Sequence, residues 1–395
     1  VTLCVDYGDM AGMPANVYFE VYDTCPVEET ETAYAKIAGV EPLYAGYTDG
    51  QGRFEGTIEL PAYIRKAYVL TPAFYARTLL EATRSGDMLT ASAESGAPAN
   101  AAPASTRAKE YHSTAVERDG WKTWLGSYDT TYGSIGYEYD GDLKVKNYGA
   151  LLKAHASVFD TTKKCPKEYR SSRDLYLEKS AEVVITLLGS NTCWNSSMGY
   201  YYYKTGNKPK SLADANVVMI FPNTQDGRWS NSPWESRLYQ GVERGTAVQL
   251  IYYPEIADGS KAGATTVFPA DYRIGFVLAT NAWTNRLRAG DKKYRAATSD
   301  GLSVNNNGVA YQTPRTAVFR YTDKKSGINS VLFSFEDHTN DENFSDVVFT
   351  MTSNPVDAVT DIPSVDVNDG KKTANVLRGI YAFEDLWPSR GDYDM

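Results

Sequence analysis

Val331-Leu-Phe-Ser-Phe-Glu-Asp-His-Thr-Asn-Asp-Glu-Asn-Phe-Ser-Asp-Val-Val-Phe349 carries the sharpest pattern in the chain. Apolar runs rich in Phe and Val, each too short for a helix, flank a loop made of oxygen-bearing side chains. The pattern predicts a strand that ends at Phe335 and another that restarts at Val347. Between them stand Glu336, Asp337, Asn340, Asp341, Glu342, Asn343, Ser345 and Asp346. Asp341, Asn343 and Ser345 fall on alternate positions, so a curled loop can aim them one way. So many hard oxygen donors in so short a loop form a ligand set for Ca2+. Carboxylates packed together without a cation would repel one another. The candidate metal ligands are Glu336, Asp337, Asp341, Asn343 and Asp346. An EF-hand is excluded, because strands flank the loop, no glycine follows Asp346 and no bidentate glutamate closes the motif. The plain alternative is an acidic, solvated hairpin tip.

Segments of the same make recur outward from this stretch. Short β-branched or aromatic runs bounded by Gly, Pro, Asn or Asp lie at 182–188, 199–203, 216–221, 247–253, 272–279, 316–321, 330–335 and 347–352. Helical periodicity is confined to Tyr148–Phe159 and Glu168–Ser180. The expected fold class is all-β: a small N-terminal β-sandwich, then a larger β-sandwich or jelly roll over 108–354 with a few short helices. The first unit is placed at 1–90. Within it, residues 44–54 read as strand, turn, strand around Asp49-Gly50 and Gly52. Residues 91–107 are almost all Ala, Ser, Pro and Gly and are expected to be a linker. Residues 355–372 look like a second linker, and 373–395 like the start of a further C-terminal domain.

Composition narrows the function. Forty basic against forty-nine acidic residues give a net charge of −9, which argues against nucleic acid and anionic membranes as partners. Apolar residues at 42% suffice for packed cores. No run approaches the roughly 20 apolar residues of a membrane span. Three histidines leave little scope for imidazole catalysis, and no GxSxG, HExxH or P-loop pattern occurs. The four cysteines, Cys4, Cys25, Cys165 and Cys193, form no CxxC pair. They leave two readings open, one disulfide per unit or four separate thiols. The chain opens at Val1 within an apolar stretch, which reads as a trimmed or mature form.

A second copy of the acidic pattern begins 48 residues after the first, at Phe383-Glu-Asp-Leu-Trp-Pro-Ser-Arg-Gly-Asp-Tyr-Asp394. Phe335-Glu-Asp aligns with Phe383-Glu-Asp, and each is followed by spaced aspartates. This tandem arrangement, with Asn195–Tyr202 and Ile274–Trp283, resembles the LruC-domain surface proteins of Bacteroidetes and leptospires. The Thr48–Phe54 turn resembles the carboxypeptidase-regulatory-like, transthyretin-like sandwich. The resemblance implies an exported, extracytoplasmic protein at the outer membrane or in the periplasm, lipid-anchored in its precursor, with no established activity. The sequence departs from the family pattern in two places: Ser345 stands where Asn is usual, removing one carbonyl ligand, and the second copy runs only to Met395, so its site is expected to be incomplete here.

The expectation is therefore a non-enzymatic structural or adhesive protein, monomeric, with no catalytic residues and a Ca2+ site in the 336–346 loop. Its partner would be an unknown protein or glycan at the cell surface. The alternative is a glycan-binding module or, further off, a glycan hydrolase, since tryptophans and Tyr200–Tyr203 could stack on sugar. Tyrosines alternating along a strand, two to each face, more often pack into a core.

Overall fold

The computed structural model describes residues 1–8, 16–29, 34–61, 63–73, 76, 78–93, 112–130, 132–159, 161–171, 173–192, 194–225, 241–284, 294–299, 301–325, 327–337 and 341–366. The second FED copy at 383–394, Cys193, Trp229, Trp234, the 373–395 segment and most of the 91–107 linker lie outside them. The fold is all-β. In the larger unit two sheets face each other. One runs Thr123–Trp124, Val218–Phe221, Ser197–Lys204, Tyr272–Ala279, Leu175–Leu177, Val359–Thr360. The other runs Arg170–Ser171, Thr316–Asp323, Ile328–Phe335, Val347–Asn354, Ala181–Ser190, Ala247–Gln249. Alternate side chains of both sheets fill the space between them. Phe276 of the first sheet meets Phe333 and Phe349 of the second, with ring centroids 5.3 and 5.0 Å apart. Burying each such ring contributes about 2–3 kcal/mol.

The register of the second sheet places the acidic loop. Ile328–Phe335 and Val347–Asn354 pair antiparallel, and Phe335 opposite Val347 is their last rung. On the far side Ser190 pairs with the same Val347, after a register shift between Leu187 and Gly189. Three strand ends therefore emerge side by side, and Asn191-Thr192 leaves the sheet next to the loop that starts at Glu336.

The tyrosine run obeys strand alternation. Tyr200 and Tyr202 stack within the inter-sheet core. Tyr201 and Tyr203 stack on the opposite face, their rings 9° from parallel. Both of their hydroxyls donate to Asp174, at 3.0 and 2.9 Å. Gly275 lies opposite Tyr201 in the ladder, and a Cβ there would strike the Tyr201 ring. The glycine leaves the space that ring fills.

Residues 2–92 form a separate seven-stranded sheet in the order Tyr44–Tyr47, Tyr18–Tyr22, Lys66–Leu70, Leu79–Ser85, Met88–Ser92, Thr2–Asp6, Arg53–Thr57. The 44–54 stretch corrects a simple hairpin reading. Its two strands do not pair with each other but occupy opposite edges of this sheet, and the tight turn joins those edges, nearly closing the sheet on Leu3, Val5, Phe19, Val21 and Val69. Asp49 Oδ1 holds that turn by accepting the Gln51 and Arg53 amides, each at 2.9 Å. Cys4 and Cys25 are separate thiols, so they form no disulfide; Cys25 Sγ donates to Val27 O instead.

Tyr148–Val158 is a helix as its spacing predicts, burying Leu151, Leu152, Ala154 and His155. Glu168–Ser180 is not. Its residues make a 3-10 turn, Lys167–Tyr169, and two short strands, because Leu175 and Leu177 alternate into the sandwich core and pair with Ile274 and Tyr272. Sheet pairing overrides a weak helical propensity here. The described part of the expected 355–372 linker is likewise stitched in. Val359–Thr360 pairs with Tyr176–Leu177, and Ser364–Asp366 runs parallel to Arg320–Thr322.

Candidate metal centre

The loop after Phe335 turns inward. Glu336, Asp337, Asn343 and Asp346 are each 2% exposed, and Asp341 is partly buried. Glu342 and Phe344 adopt left-handed backbone, with φ of 53° and 60°. Such a conformation costs an ordinary side chain about 1–2 kcal/mol, so something must hold it. The Phe344 ring is buried in the core with the Arg170 guanidinium 5.4 Å away, and local bonds lock the rest. Asn343 N donates to Asp341 Oδ1 at 3.3 Å, and Ser345 N donates to Asn343 Oδ1 at 2.8 Å. These two successive side-chain-to-backbone turns are the alternate-residue curl that the spacing of Asp341, Asn343 and Ser345 suggests.

Glu342 points outward and pairs with Arg170 and Lys164 at 3.2 and 3.3 Å. Its carbonyl accepts from Cys165 N at 2.8 Å, and Asn343 Nδ2 donates to Thr161 O at 3.1 Å. The loop is thereby pinned to the 161–170 segment that follows the long helix.

Facing inward, the acidic groups crowd. Asp346 Oδ2 accepts from Asp337 N at 2.6 Å, and Asp337 Oδ2 accepts from Thr192 Oγ1 at 2.5 Å. Glu336 Oε2 accepts from Phe344 N at 3.3 Å, while its Oε1 lies 3.5 Å from Arg315 Nη2. Asp341 Oδ2 accepts from Asn343 Nδ2 at 2.7 Å. Burial pushes the carboxyls of Glu336 and Asp346 well above the usual carboxylate range, and the neighbouring acids push the same way. Burial is also the largest cause that lifts Asp337, to about 7, and raises Asp341. Arg315 opposes these shifts at Glu336, Asp337 and Asp341.

Among the described residues, four carboxyl groups thus share one guanidinium. If all ionised, three negative charges would remain in a space that water barely reaches. Loop amides, the Thr192 hydroxyl and the Arg315 guanidinium take most of the oxygens. Among the described residues no three Asp, Glu, His or Cys side chains stand in ready metal-ligand geometry. One oxygen is left over. Asp337 Oδ1 is buried, and no described donor reaches it. A carboxylate oxygen with no partner in a dry site is costly, and a hard cation satisfies it. The donor set, all oxygen and mostly carboxylate, fits Ca2+.

Of the sequence candidates, Glu336, Asp337, Asp341 and Asp346 come together. Asn343 joins them, but its amide oxygen accepts from both Ser345 N and Ser345 Oγ, the second at 2.7 Å, which makes it a shaper of the loop. Asn340 and His338 lie outside the described residues. Sequence reasoning missed Arg315 and Thr192. The signal for Arg315 was the register of Thr316–Asp323 on Ile328–Phe335, which sets Thr316 opposite Phe335 and so residue 315 beside Glu336. No local signal marks Thr192, which arrives through a strand more than a hundred residues away in sequence.

Several of the other candidate side chains are sealed in the core. His155 is fully buried and shares a 2.7 Å hydrogen bond with Ser334, and burial pushes its imidazole down to about 3. A neutral ring sealed in the core cannot exchange protons with a substrate in solution. Trp121 and Trp283 are 2% exposed, and Tyr200 and Tyr201 are buried, which removes four of the aromatic side chains from any sugar platform. No helix among the described residues is long and apolar enough to cross a membrane.

No curated protein and no solved structure matches the chain. Residues 1–93 match the family model of a domain of unknown function, DUF8469. Residues 268–354 match that of a second domain of unknown function, DUF4114, a span that runs from Phe268 through both strands flanking the acidic loop and includes the loop and Arg315 but not Thr192.

Proposed function

We propose that the chain is an exported structural or adhesive protein of the cell surface, of the LruC-domain kind, in which the 336–346 loop binds one Ca2+. Glu336, Asp337, Asp341 and Asp346 hold the ion, and Asn343 keeps the loop curled around it. The ion ties the ends of Ile328–Phe335 and Val347–Asn354 together and takes over the neutralising role that Arg315 performs only in part. The observation that carries the reading is the buried Asp337 Oδ1 without a described partner, inside four carboxyls that share one arginine. The FED resemblance supports the surface location and, at the precursor stage, a lipid anchor; the partner would be another surface protein or a glycan.

Equilibrium dialysis of the chelated chain against calcium should give one bound ion per chain, and none for Asp337→Ala with Asp346→Ala. Equal uptake by both proteins would place the ion elsewhere. A second reading, glycan binding, draws on Trp124 and Tyr132, each 43% exposed. A glycan array probed with calcium and with EGTA separates the two: sugar binding abolished by Trp124→Ala supports it, and an empty array removes it.

A further inference from the structure

We infer that Asn191, from the strand end beside the acidic loop, supplies the neutral oxygen ligand of the cation site and favours Ca2+ over Mg2+. The inference rests on the reading that the 336–346 loop binds calcium. Asn191 is 9% exposed, and no described donor reaches its Oδ1. Its orientation is not free. Ser345 Oγ donates to Asn343 Oδ1, so that hydroxyl can only accept from Asn191, and Asn191 Nδ2 provides the hydrogen at 3.3 Å. With the NH2 side fixed on Ser345, the carbonyl side of the planar amide is left, like Asp337 Oδ1, as a buried oxygen that no described donor reaches.

The backbone around Asn191 belongs to the site. Asn191 N donates to Asp346 O at 2.9 Å, and the next residue, Thr192, donates its hydroxyl to Asp337 Oδ2. Two orphaned oxygens on the same bonded frame, one anionic and one neutral, are what a hard cation needs in addition to the carboxylates. Mg2+ holds several of its waters in rigid octahedral geometry, whereas Ca2+ accepts a larger set of protein oxygens. Four of the ligands, Glu336, Asp337, Asp346 and Asn191, are 2–9% exposed, which leaves little room for retained water and favours the larger ion.

The test titrates Ca2+ and Mg2+ into the full chain by calorimetry, for wild type, Asn191→Ala and Asn191→Asp. Asn191→Ala should bind Ca2+ about tenfold more weakly or worse. Asn191→Asp keeps an oxygen toward the ion and loses the hydrogen that orients Ser345; it should bind at least as tightly as wild type. If Asn191 served only to brace Ser345, both variants would weaken alike, and that result overturns the assignment. Unchanged affinity in Asn191→Ala overturns it too. Should Asn191→Ala fail to fold, Asn191→Asp decides alone, by binding as tightly as wild type or not. A wild-type chain that takes up no calcium removes the site itself, a failure distinct from a calcium-binding wild type with an indifferent Asn191.

Discussion

Calcium at a hundred times its Kd is expected to raise the melting temperature of the chelated chain by about 5–10 °C near neutral pH. Ligand linkage at that excess contributes about 2.7 kcal/mol, and each kcal/mol moves a domain of this size by about 2–4 °C. The sign of the pH dependence follows from the raised carboxyls. Below about pH 4 the acids are protonated in folded and unfolded chains alike. As pH rises, the unfolded chain ionises freely, while the folded site keeps its protons longer, Asp337 up to about 7, with Glu336 and Asp346 also held well above the usual carboxylate range. The folded state then binds more protons than the unfolded one, so stability without calcium falls between about pH 4 and 7. Calcium replaces those protons, and its stabilising effect should widen with pH. Asp337→Asn sharpens the test: removing a buried charge should raise the melting temperature in EGTA and flatten the calcium response. A calcium effect as large at pH 5 as at pH 8, or a variant that keeps the full response, would contradict the account.

The largest loss of stability away from the loop is expected from Asp174→Ala. Asp174 is 4% exposed and accepts from Tyr201, Tyr203 and Thr298, the last at 2.6 Å. Burial raises its carboxyl while the hydroxyl donors pull the other way. Thr298 Oγ1 in turn accepts from Phe276 N at 2.8 Å, so the carboxyl anchors the central strand Tyr272–Ala279 as well as the tyrosine ladder. Alanine would strand three hydroxyls, those of Tyr201 and Thr298 fully buried and that of Tyr203 half-buried, and open a cavity, at a cost of about 3–5 kcal/mol. Asp174→Asn retains one acceptor and should cost less, about 1–2 kcal/mol. Urea unfolding measures both. Because Asp174 does not touch the acidic loop, the calcium-induced shift should survive in either variant. A loss below about 1 kcal/mol for Asp174→Ala would show that the hydroxyls find other acceptors.

The strands of the sandwich were legible because their signal is local. Each of the eight expected runs in the larger unit contains a strand, since β-branched and aromatic residues bounded by turn formers leave few other options. The acidic loop was legible for the same reason, as was the two-faced packing of Tyr200–Tyr203. What failed depended on distant partners. The turn at 48–52 looks like a hairpin because nothing nearby reveals that Tyr44–Tyr47 pairs with Tyr18–Tyr22 and Arg53–Thr57 with Thr2–Asp6. Leu175 and Leu177 read as helical until Tyr272 and Ile274 are laid beside them. Arg315, Asn191 and Thr192 share that difficulty. They reach the acidic loop through sheet register, which places two remote segments against it without leaving a motif in either of them.

Crystals grown in calcium and measured for anomalous scattering give the most direct test of the claim that an ion neutralises this loop. The account predicts a peak bounded by carboxylate oxygens of Asp337 and Asp346 at about 2.3–2.6 Å, with protein oxygens filling most of the coordination sphere. Density showing Arg315 and ordered waters alone among those carboxyls, at millimolar calcium and neutral pH, would contradict it.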